Sequence, residues 1–341
     1  MNLHELPMII FTVVAQLCVG MFLVLGAIQL WLTATTDERT TDRLTTPILY
    51  VIGPVMVFGL VASMFHMNDV THTLNVFRHV GSSWLSREIV FGVGFAGLGF
   101  LFALLQWFRV GPAKARIALG MVTGLVGIGL VWSMSMIYSS LVTVPAWNTW
   151  VVPFQFFATT LMLGAAAVVV SLVAMTAIRQ RTPATERGPV AVPSRTTTPP
   201  AWQTRLGIDR NLAEIHAPAT DKEWKLTTQI VKACMALVAL VAVGILISYV
   251  AHVQHLATHP EPAAAISAAA FSGAFFWMRL VLLGLGAVGV GFAAFKYASL
   301  ATLEKPATLT WVVSAAFVLI LAAEFMGRSL HYDSMQLIGI G

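Results

Sequence analysis

Residues 65–89 read FHMNDVTHTLNVFRHVGSSWLSREI, and a long apolar run lies on each side of them. The stretch contains three histidines, two arginines and two acids, namely His66, His72, His79, Arg78, Arg87, Asp69 and Glu88. A polar cluster of this density between two apolar runs is typical of a loop that joins two membrane-spanning helices. The stretch therefore predicts a helical membrane protein whose chemistry is concentrated at the ends of its spans.

The composition of the whole protein favours the same class. Of the 341 residues, 57% are hydrophobic and only 10% are charged, whereas an average soluble domain has about 25% charged residues. The mean hydropathy of +0.81 indicates an integral membrane protein. The net charge of +5 does not indicate nucleic-acid binding, because the positive residues are concentrated in a few loops.

The two cysteines, Cys18 and Cys234, lie far apart in separate apolar runs. Because the sequence has no Cys-x-x-Cys pair, it offers by itself neither an iron–sulfur cluster site nor a thiolate zinc site. We therefore expect both cysteines to be small buried core residues, and we expect no metal site in this protein.

Runs of about 20 apolar residues without a charge divide the sequence into predicted membrane spans. The predicted fold class is all-α, a polytopic membrane protein with eight transmembrane helices. The predicted spans are Pro7–Trp31, Pro47–Phe65, Glu88–Phe108, Ala113–Tyr138, Pro153–Ile178, Leu226–Val250, Phe271–Phe295 and Pro306–Phe325.

The spans fall into two groups, a five-helix part over residues 1–178 and a three-helix part over residues 226–341. Between them, residues 179–225 are rich in proline, threonine and arginine, which predicts a cytoplasmic linker. Thr220 or Asp221 is expected to cap the helix that follows the linker.

Lysine and arginine are distributed unevenly between the two ends of the predicted spans. The loops after spans one, three, five and seven hold most of them, whereas the alternate loops hold only Arg78 and Arg87. The positive-inside rule then places the first set of loops in the cytoplasm and both termini on the periplasmic side. With this orientation every histidine except His216 lies at an outer span end or in an outer loop.

Ionisable residues near the spans are the candidates for a functional site, because such groups are costly in a membrane and usually line a polar pathway. His66 ends the second span, and Glu88 opens the third with Ser86 as its expected N-cap. Each also has an ordinary explanation. His66 fits an interfacial histidine, and Glu88 fits an acid that the helix dipole favours in the first turn.

Three more charges lie in the last two spans. Glu324 and Arg328 are four residues apart and are expected to pair on one helix face. Arg279 lies near the outer end of the seventh span, where snorkelling to the interface is its simpler explanation.

Four ring-bearing residues have mainly structural interpretations. His252 and His255 are possible haem ligands, although an interfacial pair is the simpler interpretation. Trp147 and Trp150 are expected to be aromatic residues of the membrane interface.

A lipophilic quinol suits this set of acids, bases and arginines. Its head enters from the lipid between apolar walls, its hydroxyl groups need hydrogen-bond partners, and its oxidation releases two protons with two electrons. A carboxylate or a neutral imidazole can accept a proton. Because the sequence has no evident site for a cofactor that would take the electrons, a partner protein must hold one close by.

Five ordered stretches resemble the membrane anchor subunits of bacterial dimethyl sulfoxide reductases. They are HELPMIIFTVVAQLCVG (4–20), ASMFHMNDVTHTLNVFRHVGSSWLSREI (62–89), TVPAWNTWVVPFQFF (143–157), FFWMRLVLL (275–283) and AAEFMGRSLHY (322–332). The resemblance extends over nearly the whole length, and five matches in order are more specific than any single motif.

The resemblance implies an eight-span anchor of the bacterial inner membrane that oxidises menaquinol. It implies two partners on the periplasmic face, an iron–sulfur subunit that receives the electrons and a molybdopterin catalytic subunit. It implies no haem and no iron–sulfur cluster in this subunit. It assigns quinol binding and proton acceptance to His66 and Glu88; to these we add Arg279, Glu324 and Arg328 as residues that shape the pocket or hold the partner.

Two features depart from the family pattern. The family often has an H-L-G-x-P motif after its histidine, whereas residues 66–70 read HMNDV, and the linker at 179–225 is unusually long. Three alternatives remain: a haem-b anchor that uses a pair such as His66 and His252, a secondary transporter, and a structural anchor whose quinol site lies elsewhere. Against a transporter, the charges lie at one face and the sequence shows no internal repeat.

Overall fold

The structure is a computed structural model that describes residues 5–64, 78–181, 201–207, 213 and 217–339. Within these ranges, eight helices are long and apolar enough to cross a membrane, which confirms the predicted all-α class and number of spans. In sequence order they are α1 Leu6–Thr35, α2 Glu38–Met64, α3 Trp84–Phe108, α4 Ala113–Ser139, α5 Val151–Arg181, α6 Asp221–Thr258, α7 Ala274–Tyr297 and α8 Pro306–Asp333.

Several helices are longer than their apolar runs, because polar residues continue them beyond the apolar part. Thr220 and Glu223 form a capping box at the start of α6: the Glu223 N–H donates to Thr220 Oγ1 at 3.2 Å, and the Thr220 N–H donates to Glu223 Oε2 at 2.8 Å. Such a box satisfies two free N–H groups of the first turn. Thr220, one of the two residues predicted to cap this helix, is thus its N-cap.

The predicted linker is therefore helical at both of its edges, since α5 continues to Arg181 and α6 begins at Asp221. Between them the structure describes a one-turn helix, Ala201–Arg205. Residues 182–200 lie outside the described ranges.

Hydrogen bonds identify which helix ends lie together. Tyr138 near the end of α4 bonds to Tyr332 near the end of α8, and Gln16 in the first half of α1 bonds to Arg328 of α8. We call this the terminal end of the bundle, because the first and last described residues lie there. At the opposite end, the Arg179 side chain of α5 donates to the Arg43 carbonyl of α2 at 3.1 Å.

Helices α1 and α5 form the centre of the bundle and are its most buried spans. They approach so closely that a Cβ added at Gly20 would collide with the Thr160 carbonyl, and one added at Gly164 would collide with the Gly20 backbone. Small residues permit this backbone contact between membrane helices. Cys18 and Cys234 are both buried, as predicted.

Charged side chains, most of them buried, join the helices at the opposite end. The Arg43 guanidinium of α2 donates to Glu223 of α6 and, at 2.8 Å, to the Pro218 carbonyl. Arg116 of α4 donates to Glu38 at 3.1 Å and to Gln106 at 3.0 Å. These bonds connect α2, α3, α4 and α6, so this end of the bundle is held by paired charges.

An exposed ion pair lies beside this cluster, with Lys222 Nζ 2.8 Å from Asp37 Oδ1. The Lys222 ammonium and hydrogen bonds from Thr40 hold the pKa of the Asp37 carboxyl well below its usual range. Because the folded-state pKa is lowered, the stabilisation is present above the ordinary value of 3.8 and is lost as the pH falls below it. Both side chains are more than half exposed, so the contribution to stability is small.

We predict that Gly20→Ala lowers the free energy of unfolding in mixed micelles by about 1–3 kcal/mol, because its methyl group forces α1 away from α5. Gly26→Ala on the same helix is the control, since no atom lies within 4 Å of its added Cβ. Equal stabilities of the two variants would contradict the close approach of α1 and α5.

Candidate functional site

Glu88 lies near the start of α3 and is 8% exposed. The N-cap of α3 is Ser83, which accepts the Ser86 N–H at 3.3 Å, so the expectation that Ser86 is the cap was wrong. Glu88 is therefore the fifth residue of the helix and lies beyond the first turn, where the helix dipole acts most strongly. Within the described ranges, its carboxylate forms no hydrogen bond or ion pair.

His66, the other residue expected to act on quinol, lies outside the described residues. The neighbouring polar residues of the loop that are described have structural contacts. Arg87 donates to the carbonyls of Val80 at 2.8 Å and Gly81 at 2.7 Å, and its guanidinium lies 4.1 Å from the centre of the Trp84 ring. These contacts fix the residues that lead into α3.

A pair of tyrosines lies at the same end of the bundle as Glu88. The hydroxyl oxygens of Tyr138 and Tyr332 are 2.9 Å apart. Sequence reasoning missed both tyrosines, because a phenol inside an apolar run interrupts neither the hydropathy nor the charge pattern. The position of Tyr332 in the stretch EFMGRSLHY gave no signal of a partner on α4.

Arg279 and Glu324 form an ion pair between α7 and α8, with Nη2 3.3 Å from Oε1 and side chains only 3% and 2% exposed. The Thr159 hydroxyl of α5 also donates to Glu324, and the Arg279 guanidinium lies 4.7 Å from the centre of the Tyr249 ring of α6. The expectation that the Arg279 side chain snorkels to the interface was therefore wrong. Its charge is compensated inside the protein, which removes the need to reach water.

Arg328 does not form the expected ion pair with Glu324. Its Nη2 donates to Gln16 Oε1 of α1 at 2.8 Å, and its guanidinium lies 3.7 Å from the centre of the Phe156 ring. The physical reason is that Arg279 and Thr159 already occupy the Glu324 carboxylate from two other helices. Sharing one helix face did not decide the partner, because neighbouring helices supply better-placed donors.

A glycine makes room for this arrangement. A Cβ added at Gly327 would collide with the Arg279 guanidinium, so the arginine of α7 crosses α8 at a residue without a side chain. Two arginines and one glutamate leave one net positive charge in this part of the site. The same groups join α1, α5, α6, α7 and α8 at the terminal end.

Trp147 packs into the same region, where it is 5% exposed. Its ring stacks on His331 with centroids 5.1 Å apart, and its Nε1 donates to the His331 carbonyl at 2.7 Å. The expectation of an interfacial residue was wrong for Trp147, whereas Trp150 is 64% exposed and fits it. A tryptophan in a loop between two spans is not necessarily at the lipid interface when a buried carbonyl needs a donor.

His252 is likewise buried, with 4% exposure, and packs edge-on against Phe271 at a centroid distance of 4.9 Å. The interfacial interpretation was therefore wrong for this histidine. Among the residues that the structure describes, no three His, Cys, Asp or Glu side chains lie close enough together to hold a metal ion.

A comparison with protein families decides the affiliation of the protein. The family model of the DMSO reductase anchor subunit (DmsC) matches residues 1–333. The chain belongs to this family. The anchor-family match covers all eight spans, including every candidate residue named above.

Two curated relatives support this family assignment. The protein is 35% identical over 166 residues to the C subunit of anaerobic dimethyl sulfoxide reductase of Escherichia coli (strain K12), a match that covers 47% of this sequence and 55% of the relative. It is 31% identical over 169 residues to the subunit of the same name from Haemophilus influenzae, covering 48% of this sequence and 57% of the relative. The matched region thus spans about half the length of each curated relative.

We predict that Arg279→Met lowers the free energy of unfolding by about 3–5 kcal/mol, because it leaves the buried Glu324 carboxylate without its cation. The double variant Arg279→Met/Glu324→Gln should recover much of this loss, as measured by denaturation in mixed micelles. Lys222→Met, which removes the exposed pair with Asp37, serves as the control and should change stability little. A double variant no more stable than Arg279→Met alone would contradict a charge-pairing role.

Proposed function

We propose that this anchor-family protein is the quinol-oxidising membrane subunit of a molybdopterin oxidoreductase. It lies in the bacterial inner membrane with both termini in the periplasm. It binds menaquinol and passes electrons to an iron–sulfur subunit on the periplasmic face, which feeds a molybdopterin catalytic subunit. The family match over residues 1–333 and the names of the relatives support this assignment.

The observation that carries the quinol site is the environment of Glu88. It is a buried carboxylate at the end of a membrane span, and the described residues give it neither a cation nor a hydrogen-bond donor. Burying an ionisable group in this position is energetically costly, so such a group usually marks a functional site. His66 comes one polar loop earlier in the sequence, and the family resemblance implies it as the second proton acceptor.

The proposed chemistry assigns each group a role. A menaquinol that is oxidised loses two protons and two electrons, and becomes the quinone. Glu88 and His66 take the protons from the two hydroxyl groups and release them at the terminal end. The electrons leave to the iron–sulfur subunit. The net positive charge of Arg279, Arg328 and Glu324 favours the anionic quinol that forms when the first proton leaves.

Arg279, Glu324 and Arg328 keep the role of shaping the pocket, but they do so as a buried structural group. Their contacts with α1, α5 and α6 fix the helices around the Tyr138–Tyr332 pair. We assign docking of the iron–sulfur subunit to exposed residues of the terminal end, because all three charged side chains are at most 6% exposed.

Glu88→Gln should lower quinol-dependent turnover of the assembled complex by about 100-fold, because the amide cannot accept a proton. His66→Ala should act in the same direction. The measurement is steady-state oxidation of a short-chain naphthoquinol by membranes that contain the complex. Electron delivery from a soluble viologen bypasses the anchor, so viologen-dependent activity should remain unchanged and report normal assembly.

Glu261→Gln is the matched control, since Glu261 is a half-buried acid just after the end of α6 and should leave turnover unchanged. Full quinol-dependent activity in both Glu88→Gln and His66→Ala would refute the proposed site.

The proposed orientation predicts which added cysteines react from outside the cell. Thr258 lies exposed at the end of α6, and Thr302 lies exposed in the loop between α7 and α8. A membrane-impermeant maleimide added to spheroplasts should label Thr258→Cys and should leave Thr302→Cys unlabelled. The native Cys18 and Cys234 are buried and give a low background. Labelling of Thr302→Cys alone would contradict the proposed orientation and indicate the opposite one.

A further inference from the structure

Three uncharged segments lie beyond the helix ends at the terminal end of the bundle. Residues 140–149 lie between α4 and α5, residues 262–273 lie between α6 and α7, and residues 334–339 follow α8. None of the three contains Asp, Glu, Lys, Arg or His. The second one contains a short helix, Pro262–Ala268. We call the three segments together the terminal platform.

Hydrogen bonds join the three segments into one surface. The Ser267 hydroxyl donates to the Ser334 carbonyl at 2.8 Å, and the Ile338 N–H donates to the Thr143 carbonyl at 2.9 Å. The segment after α8 is thus bonded to each of the other two. The arrangement of the terminal platform is therefore set by the fold.

Large apolar side chains are exposed on the terminal platform. Ile266 and Met335 adjoin the first of the two bonds in the sequence, and Val142 and Leu337 adjoin the second. Their exposed fractions range from 38% for Leu337 to 72% for Val142. The two bonds bring these four residues from three segments onto one part of the surface. Because the platform lies beyond the helix ends, these residues differ from the apolar side chains on the flanks of the spans, which face lipid.

A protein partner suits this surface better than water or lipid does. Exposed apolar patches with polar residues around them usually mark interaction sites. A segment that lies among lipid headgroups typically carries Lys or Arg for the phosphates, and the platform has neither. Charged residues border it instead, since Glu261 precedes its second segment and the exposed Asp333 precedes its third. An apolar centre depleted of charge and a polar rim are typical of protein–protein interfaces.

The position of the terminal platform indicates which partner binds there. Trp147 of the platform donates to the His331 carbonyl of α8 at 2.7 Å, and the third segment continues directly from α8. The same helix carries Glu324 and Arg328 of the candidate site. Oxidation of quinol at this end needs an electron acceptor close by, and the proposed function assigns that acceptor to the iron–sulfur subunit.

We propose that the terminal platform is the docking surface of the iron–sulfur subunit and that an apolar, uncharged contact holds the two subunits together. The inference rests on the proposed function, because the proposed function supplies the identity of the partner. A contact of this kind is typical of permanent complexes. Since salt screens charges and not apolar contacts, the complex should remain intact at high ionic strength.

The first test places a charge on the platform of the full complex. In Val142→Asp and Met335→Asp the contact would bury an unpaired carboxylate, so the viologen-dependent activity of the membranes should fall at least about tenfold. The lost activity should appear in the soluble fraction, while an epitope tag shows unchanged amounts of the anchor in the membrane. Leu300→Asp is the matched control, because Leu300 is an apolar residue that is 75% exposed at the opposite end, and it should release nothing.

Wild-type membranes washed with about 1 M KCl should keep their viologen-dependent activity, because this salt concentration screens charge pairs over a few ångströms. Release of the activity by salt would overturn the inference, since it would indicate a contact held by charges. Retention of full membrane-bound activity in both Val142→Asp and Met335→Asp would overturn it as well.

Photo-crosslinking tests the same surface without a destabilising charge, and decides the matter if the aspartate variants do not accumulate in the membrane. Val142 or Met335 is replaced by p-benzoylphenylalanine, and membranes with the assembled complex are irradiated. Either position should form an adduct with the iron–sulfur subunit, and the same replacement of Leu300 should form none. Adducts only with a second copy of the anchor, only with the catalytic subunit, or with no protein would overturn the inference.

The outcome with Glu88→Gln separates this inference from the proposed function. If Glu88→Gln abolishes naphthoquinol turnover and both aspartate variants keep the iron–sulfur subunit on the membrane, only the docking surface fails. If the aspartate variants release it but Glu88→Gln and His66→Ala keep full turnover, the docking surface stands and the quinol site is elsewhere. If the wild-type anchor binds no iron–sulfur subunit, both proposals fail.

Discussion

The compensation of buried charge is the constraint on which the terminal end of this bundle depends. Arg279 and Glu324 are almost completely buried, and each would be strongly destabilising alone. Their pairing draws α7 onto α8, and the Thr159 hydroxyl adds α5. Arg328 then turns to Gln16 and to the face of Phe156, which brings in α1. One ion pair and its neighbouring contacts thus decide how these helices meet.

Glu88 differs from these charges in a way that bears on function. The acids Glu223 and Glu324 each lie against an arginine, whereas Glu88 is buried without such a partner among the described residues. At the same end of the bundle, the hydroxyls of Tyr138 and Tyr332 are oriented by each other and by aromatic packing. A structural acid is stabilised by permanent compensation, but an acid that must take up and release protons cannot be tied to a fixed cation. At the terminal end, the paired Glu324 and the unpaired Glu88 match a structural role and the proposed proton-accepting role respectively.

Sequence patterns predicted the fold more completely than the site. The number of spans could be predicted from hydropathy, because each span must satisfy its backbone within a long apolar helix. The bounds were too short at α6 and α5, since Thr220, Glu223 and Arg181 are polar residues that a hydropathy window excludes. Single-residue assignments failed where the partner lay on another element. Four residues were expected at an interface or with a sequence neighbour, namely Arg279, Arg328, Trp147 and His252. Each instead contacts a group that is distant in the sequence.

The sequence by itself determined that this is an all-helical protein with eight spans, that it belongs with the DMSO reductase anchors, and that Glu88 stands out as a charge at a span end. These properties follow from local composition and order, which need no knowledge of helix packing. Only the tertiary structure decided that Arg279 is the cation of Glu324, that Arg328 bonds to α1, and that Tyr138 of α4 bonds to Tyr332 of α8. The reason is that a hydrogen bond between helices depends on their rotation and separation, and apolar sequences that span a membrane leave both undetermined until small residues such as Gly20 and Gly164 let the helices pack.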